Sequence, residues 1–196
     1  MSPLNKQQLD QIREERQAQI KQAALQVFAR YGFAHTKTSM IAAAAGISEG
    51  LIYRYFESKD ELYSTIVQEL LENATTEIDD SRETPGTPYE QIKKLTQSML
   101  DEENKYAFML IQKARKSEEL PAKIAQVMEQ YSPDALIDRL IPLFIQGQQA
   151  GEFSDGDPRE RLFWYMSVVH SLILQEQGEE EYGFPDVDVL MRMLTK

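Results

Sequence analysis

The stretch from Thr38 to Lys59 reads TSMIAAAAGISEGLIYRYFESK. Two short helices that pack at a steep angle need a small residue where they cross, and Ala42 supplies it. The turn between them needs a residue that tolerates positive φ, and Gly46 lies four positions later. Isoleucines on both sides of this glycine can anchor the pair on a preceding helix. The stretch therefore predicts a helix-turn-helix, with the second of its helices running from Ser48 through Phe56.

The second helix of this pair has a polar outer surface. Gly50 allows close approach to a DNA groove, and Arg54 can make a bidentate contact with guanine. Nearby hydroxyl and ammonium groups can donate hydrogen bonds to phosphates. These groups belong to Thr38, Ser48, Tyr53, Tyr55 and Lys59. The alternative is a plain helical hairpin whose tyrosines and arginine are ordinary surface residues.

The sequence on both sides of the pair has helical periodicity. Upstream, one apolar stripe is formed by Ile20, Ala23, Ala24, Val27, Phe28 and Tyr31. Gly32 is expected to end that helix. Downstream, Ser58 and Glu61 form a capping box that begins a long fourth helix. Because strand patterns are almost absent, we expect an all-α protein of about nine or ten helices.

Composition excludes several classes of protein. The 196-residue chain has no Cys and two His, which leaves no disulfide framework and no thiolate metal site. Phosphate-binding glycine loops, nucleophile elbows and paired metal-binding histidines are also missing. We therefore expect no enzyme, no cofactor and no metal. Without a long apolar run or a signal-peptide core, we expect a cytoplasmic protein with no membrane partner.

Charge is divided unevenly along the chain. The formal net charge is −11, but residues 1–60 hold 8 Lys and Arg against 6 Asp and Glu. Residues 61–196 hold 13 against 26. This asymmetry indicates that the N-terminal end meets phosphate, although ordinary charge scatter is the alternative.

A longer pattern surrounds the helix-turn-helix. From Ile20 to Leu62 the sequence follows I…AA…VF…YGF…TSxxIAxxAGISxGxIYxYFxSKxEL, about a fifth of the chain. This pattern resembles the signature of the TetR family of bacterial transcriptional repressors. The resemblance implies a DNA-binding domain of three helices, the third being the recognition helix. It also implies a C-terminal domain of about six helices that binds a small effector and dimerises through its last two long helices.

The resemblance also assigns roles to single residues. Phosphate contacts fall on Thr38 or Ser39, Tyr53, Tyr55 and Lys59. Contacts with bases or the groove fall on Ser48, Glu49, Gly50, Leu51 and Arg54. Glu49 departs from the basic or neutral residue common at its position, since an acid there repels phosphate and favours accepting a hydrogen bond from cytosine. The expected partner is a double-stranded DNA operator.

These patterns predict two domains. Residues 1–60 form the DNA-binding domain, with a polar arm over residues 1–17, and residues 61–196 form the effector-binding and dimerisation domain. Arg13 and Arg16 in the arm can reach a flanking groove, but a frayed terminus is the favoured interpretation. A loop is expected from Ser81 to Pro88.

The helix from Arg161 to Leu174 is apolar nearly all round, so both of its sides must be covered. One side can meet its own domain and the other the same helix of a second subunit, together with a terminal helix over Val187–Leu194. We therefore expect a homodimer. Its interface residues are expected to be Leu162, Met166, Val169, Ile173, Leu190 and Leu194.

An effector cavity is expected in the same domain. Candidate lining residues are Met99, Phe108, Met109, Met128, Phe144, Trp164, Tyr165 and His170. Methionines suit a bulky lipophilic ligand, and acids such as Glu102 or Glu103 can attract a cation. For each of these residues, ordinary core packing is the alternative. The sequence predicts a repressor released by a small effector; the other interpretation is a structural DNA-binding protein of the same fold without a small-molecule switch.

Overall fold

The computed structural model describes residues 6–101, 104–117, 120–175 and 185–195. Regular secondary structure within these ranges is helical, and they contain no strand, as predicted. In chain order the helices are α1 (Lys6–Tyr31), α2 (Thr38–Ala45), α3 (Glu49–Ile52), α4 (Lys59–Glu83), α5 (Pro88–Met99), α6 (Lys105–Lys116), α7 (Ala122–Gln130), α8 (Pro133–Gln149), α9 (Pro158–Leu174) and α10 (Val187–Met191). Among the described helices, none has the length and apolar character needed to cross a bilayer.

The described residues form two compact units. The first contains the chain up to Glu69 together with Met109–Ala125, and the second contains Leu70–Phe108 and the chain from Gln126 onward. Helices α4, α6 and α7 therefore each contribute residues to both units. The predicted boundary after residue 60 lies at the start of α4, and the sequence pattern does not anticipate the contribution of Met109–Ala125. The functions assigned to the two regions stay predictions.

The core of the first unit is built on the apolar stripe of α1. Ile20, Ala24 and Phe28 are completely buried, and the ring of Phe28 meets that of Tyr63 edge-on with a centroid distance of 4.9 Å. Burial raises the pKa of the Tyr63 hydroxyl to about 12. Tyr31, predicted as the last member of the stripe, is instead 52% exposed, because α1 ends at this residue.

α1 begins further upstream than the sequence predicts. Residues 6–17, expected as part of a frayed arm, continue α1 as regular helix. Most side chains in this part are exposed, including those of Leu9 and Ile12. Arg16 donates a hydrogen bond to the side chain of Gln19, and Gln19 donates to the carbonyl of Ala45 at 2.8 Å. Residues 1–5 of the predicted arm lie outside the described residues.

The core of the second unit packs the apolar faces of α5, α8, α9 and α10 together. All four helices begin at side-chain caps, and in three of them the cap residue, Thr87, Ser132 or Asp157, precedes a proline. A cap followed by proline at the first helical position satisfies free N–H groups without losing a hydrogen bond. The predicted loop is shorter than expected, since α4 continues to Glu83.

Helix α8 packs so tightly against the following turn that residue 147 has no room for a side chain. A β-carbon placed on Gly147 would lie 2.2 Å from the ring of Phe153. That ring stacks on Phe144 with a centroid distance of 4.7 Å. Steric fit therefore explains a glycine inside a helix, where its conformational freedom is otherwise unfavourable.

Helix α10 is shorter than the predicted helix over 187–194, and the chain continues as a turn after Met191. Leu190, Met191 and Leu194 are nonetheless buried in the core of the second unit. The carbonyl of Leu194 accepts hydrogen bonds from the backbone N–H and the hydroxyl of Ser154, at 2.8 and 3.1 Å. These contacts fix the C-terminal segment on its own unit.

The residues predicted for the dimer interface lie in the core of the second unit. At most 6% of each residue is exposed for Leu162, Met166, Val169, Ile173, Leu190 and Leu194. Their role in a dimer stays a prediction. Because α9 is apolar nearly all round, its sequence does not tell which side faces inward. Phe163 and Trp164, on the other side, are 45% and 60% exposed.

Candidate nucleic-acid interface

The turn after α2 has the predicted geometry. Gly46 adopts φ 65° and ψ 33°, which is the left-handed region that favours glycine. The N–H of Ile47 donates to the carbonyl of Ala42 at 3.0 Å, and the N–H of Gly46 donates to that of Ala43 at 3.2 Å. These bonds satisfy the last carbonyls of the helix. Ala42 is 4% exposed, which confirms that a small buried residue lies on the inner side of α2.

The recognition helix is shorter than predicted. α3 covers only Glu49–Ile52, and residues 53–55 form turns. The N–H groups of Tyr55 and Phe56 both donate to the carbonyl of Ile52, at 2.9 and 3.0 Å. Because Ile52 and Phe56 are buried, the turn after α3 is anchored at both ends. Tyr53 and Arg54 therefore lie on a fixed turn that follows the helix.

The predicted DNA-binding residues differ in exposure. The exposed members are Ser39, Ser48, Glu49, Gly50, Tyr53 and Arg54. The half-buried members are Thr38, Leu51, Tyr55 and Lys59. The hydroxyls of Thr38 and Tyr53 lie 3.0 Å apart, so α2 and the turn after α3 hold two candidate phosphate donors side by side.

Lys59 is held by the protein itself. Its ammonium donates hydrogen bonds to the carbonyls of Phe33 and Thr36, at 2.9 and 3.1 Å. It also lies 4.2 Å from the centroid of the Phe33 ring, within cation–π range. Lys59 thus fastens the connection between α1 and α2 to the start of α4, a role that the sequence does not predict.

Gly50 is not required by any contact inside the protein. A β-carbon at this position would meet no atom within 4 Å. The glycine leaves the outer surface of α3 free of a side chain between Glu49 and Arg54. Such a surface can approach a groove closely, with a carboxylate and a guanidinium beside it for base edges.

The comparisons with known proteins agree with this geometry. Residues 20–66 match the model of the family described as bacterial regulatory proteins, tetR family. The match covers about a quarter of the chain and contains the complete helix-turn-helix and the start of α4. In this region the chain is similar to bacterial regulatory proteins of the tetR family.

Three relatives show how far the similarity extends. A fatty acid metabolism regulator protein of Bacillus subtilis is 26% identical over 142 residues, which is 70% of this chain and 71% of the relative. The nucleoid occlusion factor SlmA of Actinobacillus pleuropneumoniae is 26% identical over 89 residues, 45% of this chain and 44% of the relative. The structure of the ketosteroid transcriptional regulator KstR2 of Mycobacterium tuberculosis superposes with a TM-score of 0.74 at 19% identity, covering 92% of this chain and 95% of that one. This last match shows a shared fold.

The predicted effector residues differ in their surroundings. Phe108 and His170 lie side by side, with ring centroids 5.4 Å apart, and Phe144 and Tyr165 are completely buried in the core of the second unit. Met99 packs on the edge of that core, and Met128 is half-buried in the second unit. Met109 belongs to the first unit. Glu102 and Glu103 lie outside the described residues.

Trp164 in particular is not a core residue. It is 60% exposed and lines an open surface cleft of about 300 Å³ with Glu160, Arg161 and Met193. Adjacent residues of a helix point in different directions, so Trp164 and the buried Tyr165 do not line one internal cavity.

Sequence reasoning also missed Thr96. This residue is completely buried, and its hydroxyl lies 2.8 Å from that of Tyr165. Burial raises the pKa of Tyr165 to about 12, an effect that the hydrogen bond with Thr96 opposes. A signal was present, since Ile92, Leu95 and Thr96 share one face of α5 at helical spacing.

Proposed function

We propose that this chain is a transcriptional repressor that binds its DNA operator as a homodimer. A small lipophilic effector releases the repressor from the operator. The open surface around α3 carries this proposal, because Glu49, Gly50 and Arg54 are exposed while Ile52 and Phe56 hold the element in place. A rigid, anchored element with a polar outer side has the properties needed to read a major groove.

The proposed homodimer forms through the outer side of α9. Phe163 and Trp164 are large, exposed and in edge-to-face contact, with ring centroids 5.3 Å apart. Exposed aromatic pairs of this kind are typical of interfaces. Trp164→Glu should convert a dimer to a monomer in analytical ultracentrifugation, because a two-fold interface buries the new carboxylate twice. Val189→Glu, a control at another exposed apolar residue, should leave the mass unchanged.

The effector class follows from the chemistry of the second unit. Its buried polar side chains among the described residues are Ser81, Gln91, Thr96 and Tyr165, which are all uncharged. A cation would need acidic partners to offset its loss of hydration, so these residues favour a lipophilic ligand with a polar head. The name of the Bacillus subtilis relative, a fatty acid metabolism regulator protein, supports the same class.

Helices α4 and α6 provide a route for the response. Each contributes residues to both compact units. In the first unit, Lys113 of α6 donates a hydrogen bond to the carbonyl of Arg30 at the end of α1. In the second, Phe108 of the same helix contacts His170. A ligand that shifts α6 in the second unit should therefore change the equilibrium between DNA-binding and released states.

The second candidate function is a structural DNA-binding protein without a small-molecule switch. It is favoured by the similarity to SlmA, a nucleoid occlusion factor, over 89 residues of this chain. The two candidates differ in their response to ligands, because only a switchable repressor has a coupling free energy between effector and DNA.

The test begins with selection of preferred sequences from a random duplex library by the purified chain. Affinity for the selected duplex is then measured by fluorescence anisotropy with and without dodecanoate, and with choline as the cationic comparison. Loss of affinity with dodecanoate, together with repression of a reporter placed behind the selected site, supports the proposal. Binding that is unchanged by both compounds and spread over many sequences supports the structural alternative.

A further inference from the structure

The C-terminal segment fills a large apolar space for its size. Although α10 has only five residues, Met191 and Leu194 are completely buried and Leu190 is 5% exposed. Removal of three such side chains would leave a space on the order of 300 Å³, the lower end of the range for small-molecule pockets. The segment therefore occupies a volume in which a ligand would fit.

A buried polar pair lies beneath this segment. The hydroxyls of Thr96 and Tyr165 are 2.8 Å apart, and the Tyr165 hydroxyl also donates to the sulfur of Met191 at 3.3 Å. Sulfur is a weak acceptor, whereas an oxygen atom is a strong one. A ligand oxygen that replaced Met191 would thus form a better hydrogen bond than the segment itself provides.

The segment is attached to the rest of the unit by the burial of Leu190, Met191 and Leu194 and by polar contacts at its exposed side. Asp188 pairs with the ammonium of Lys93 at 2.5 Å and accepts a hydrogen bond from Tyr89 at 3.1 Å. The carbonyl of Leu194 accepts hydrogen bonds from Ser154. An exposed ion pair contributes little stability, so the contacts of Asp188 can open at small cost, and the apolar chain of a ligand can replace the buried surface of the three side chains.

We propose that α10 is a displaceable plug in the effector site. The ligand, an apolar chain with a hydrogen-bond-accepting oxygen at one end, takes the place of Leu190, Met191 and Leu194 and binds the Thr96–Tyr165 pair. This inference rests on the proposed function, because it names the site and the ligand class of that effector. The apparent affinity equals the intrinsic affinity multiplied by the fraction of molecules in which the plug is displaced.

The first test weakens the attachment. Dodecanoate and 1-dodecanol, which share an apolar chain but differ in their heads, are titrated into the full chain and into Asp188→Ala by calorimetry. Loss of the two exposed contacts should tighten binding of the recognised ligand roughly two- to fivefold. Asp79→Ala, which breaks the exposed pair with Arg139 elsewhere in the same unit, should leave the affinity unchanged.

The second test removes the plug. A chain that ends at Asp186 should bind at least tenfold more tightly than the full chain, and Thr96→Val in that background should reverse most of the gain. If the shortened chain fails to fold, the affinity of Asp188→Ala and hydrogen exchange on the full chain test the plug instead. The amide of Ser154 donates to Leu194, so saturation of the full chain with ligand should speed exchange at this amide and leave the amides of α8 protected.

Three results overturn the plug. These are equal affinity of the full chain and Asp188→Ala, slower exchange at Ser154 on saturation, or binding of neither ligand by any folded variant. In each case, intact binding of the selected DNA duplex would still support the DNA-binding part of the proposed function. Loss of that binding in the unmodified chain would instead remove the proposed function itself.

Discussion

Arg54 and Lys59 carry the same charge near the same surface, but the structure predicts different effects of replacing them. Arg54 is exposed at the turn after α3. Arg54→Ala should cost about 1–3 kcal/mol on the preferred duplex and relax the preference at one base pair, since a bidentate contact is lost. Anisotropy with single-base-pair variants measures this, and an equal loss on all duplexes would assign Arg54 to phosphate instead. The thermal midpoint should not change.

Lys59 is expected to act on folding. Lys59→Ala removes two hydrogen bonds from an ammonium to the carbonyls of Phe33 and Thr36, and the free energy of unfolding in urea should fall by about 1–3 kcal/mol. Lys94→Ala, at an exposed lysine, is the control and should leave unfolding unchanged. Weaker DNA binding with normal stability would show that Lys59 acts on phosphate alone.

At the scale of the element, substitution of the two glycines of the helix-turn-helix should affect different properties, stability for Gly46 and DNA binding for Gly50. Gly46→Ala forces an alanine into positive φ and should destabilise the unit by about 1 kcal/mol. Gly50→Ala meets no neighbour and lies within a helix, so it should stabilise by up to about 1 kcal/mol while it weakens DNA binding. Urea unfolding and anisotropy on both variants measure this. Full DNA affinity in Gly50→Ala would contradict close approach at this glycine.

How much of each element the sequence predicts depends on how local its causes are. The end of α2 at Gly46 follows from one left-handed residue, and the starts of α8 and α9 follow from adjacent cap and proline residues. The end of α3 does not follow from nearby residues in the sequence. Turns stabilised by the burial of Phe56 replace the expected helix. The inward side of α9 was equally beyond sequence reasoning, since its apolar residues surround the helix.

At the scale of the whole molecule, the two compact units share a sensitivity to alkaline pH. Burial raises the pKa of Tyr63 in the first unit and of Tyr165 in the second to about 12. Below pH 10 both hydroxyls are protonated in the folded and unfolded states, so their contribution to stability is fully present. Between pH 10 and 12 the unfolded chain ionises first, and stability should fall by up to about 2–3 kcal/mol per tyrosine.

Urea unfolding between pH 9 and 11.5 measures this loss. Tyr63→Phe keeps the ring and removes the ionisable group, so its stability should fall less steeply with pH than that of the unmodified chain. Parallel slopes for the two proteins would exclude Tyr63 as a cause. The turn of the helix-turn-helix was predictable because its residues are close in sequence, whereas Thr96 and Tyr165 meet across 69 positions.

The contact between Gly147 and Phe153 has an evolutionary consequence. Since no β-carbon fits beside that ring, position 147 cannot gain a side chain while phenylalanine occupies 153. Descendants of a common ancestor that gained a side chain at 147 should have exchanged the phenylalanine at 153 for a smaller residue, and the two substitutions should be inherited as a pair.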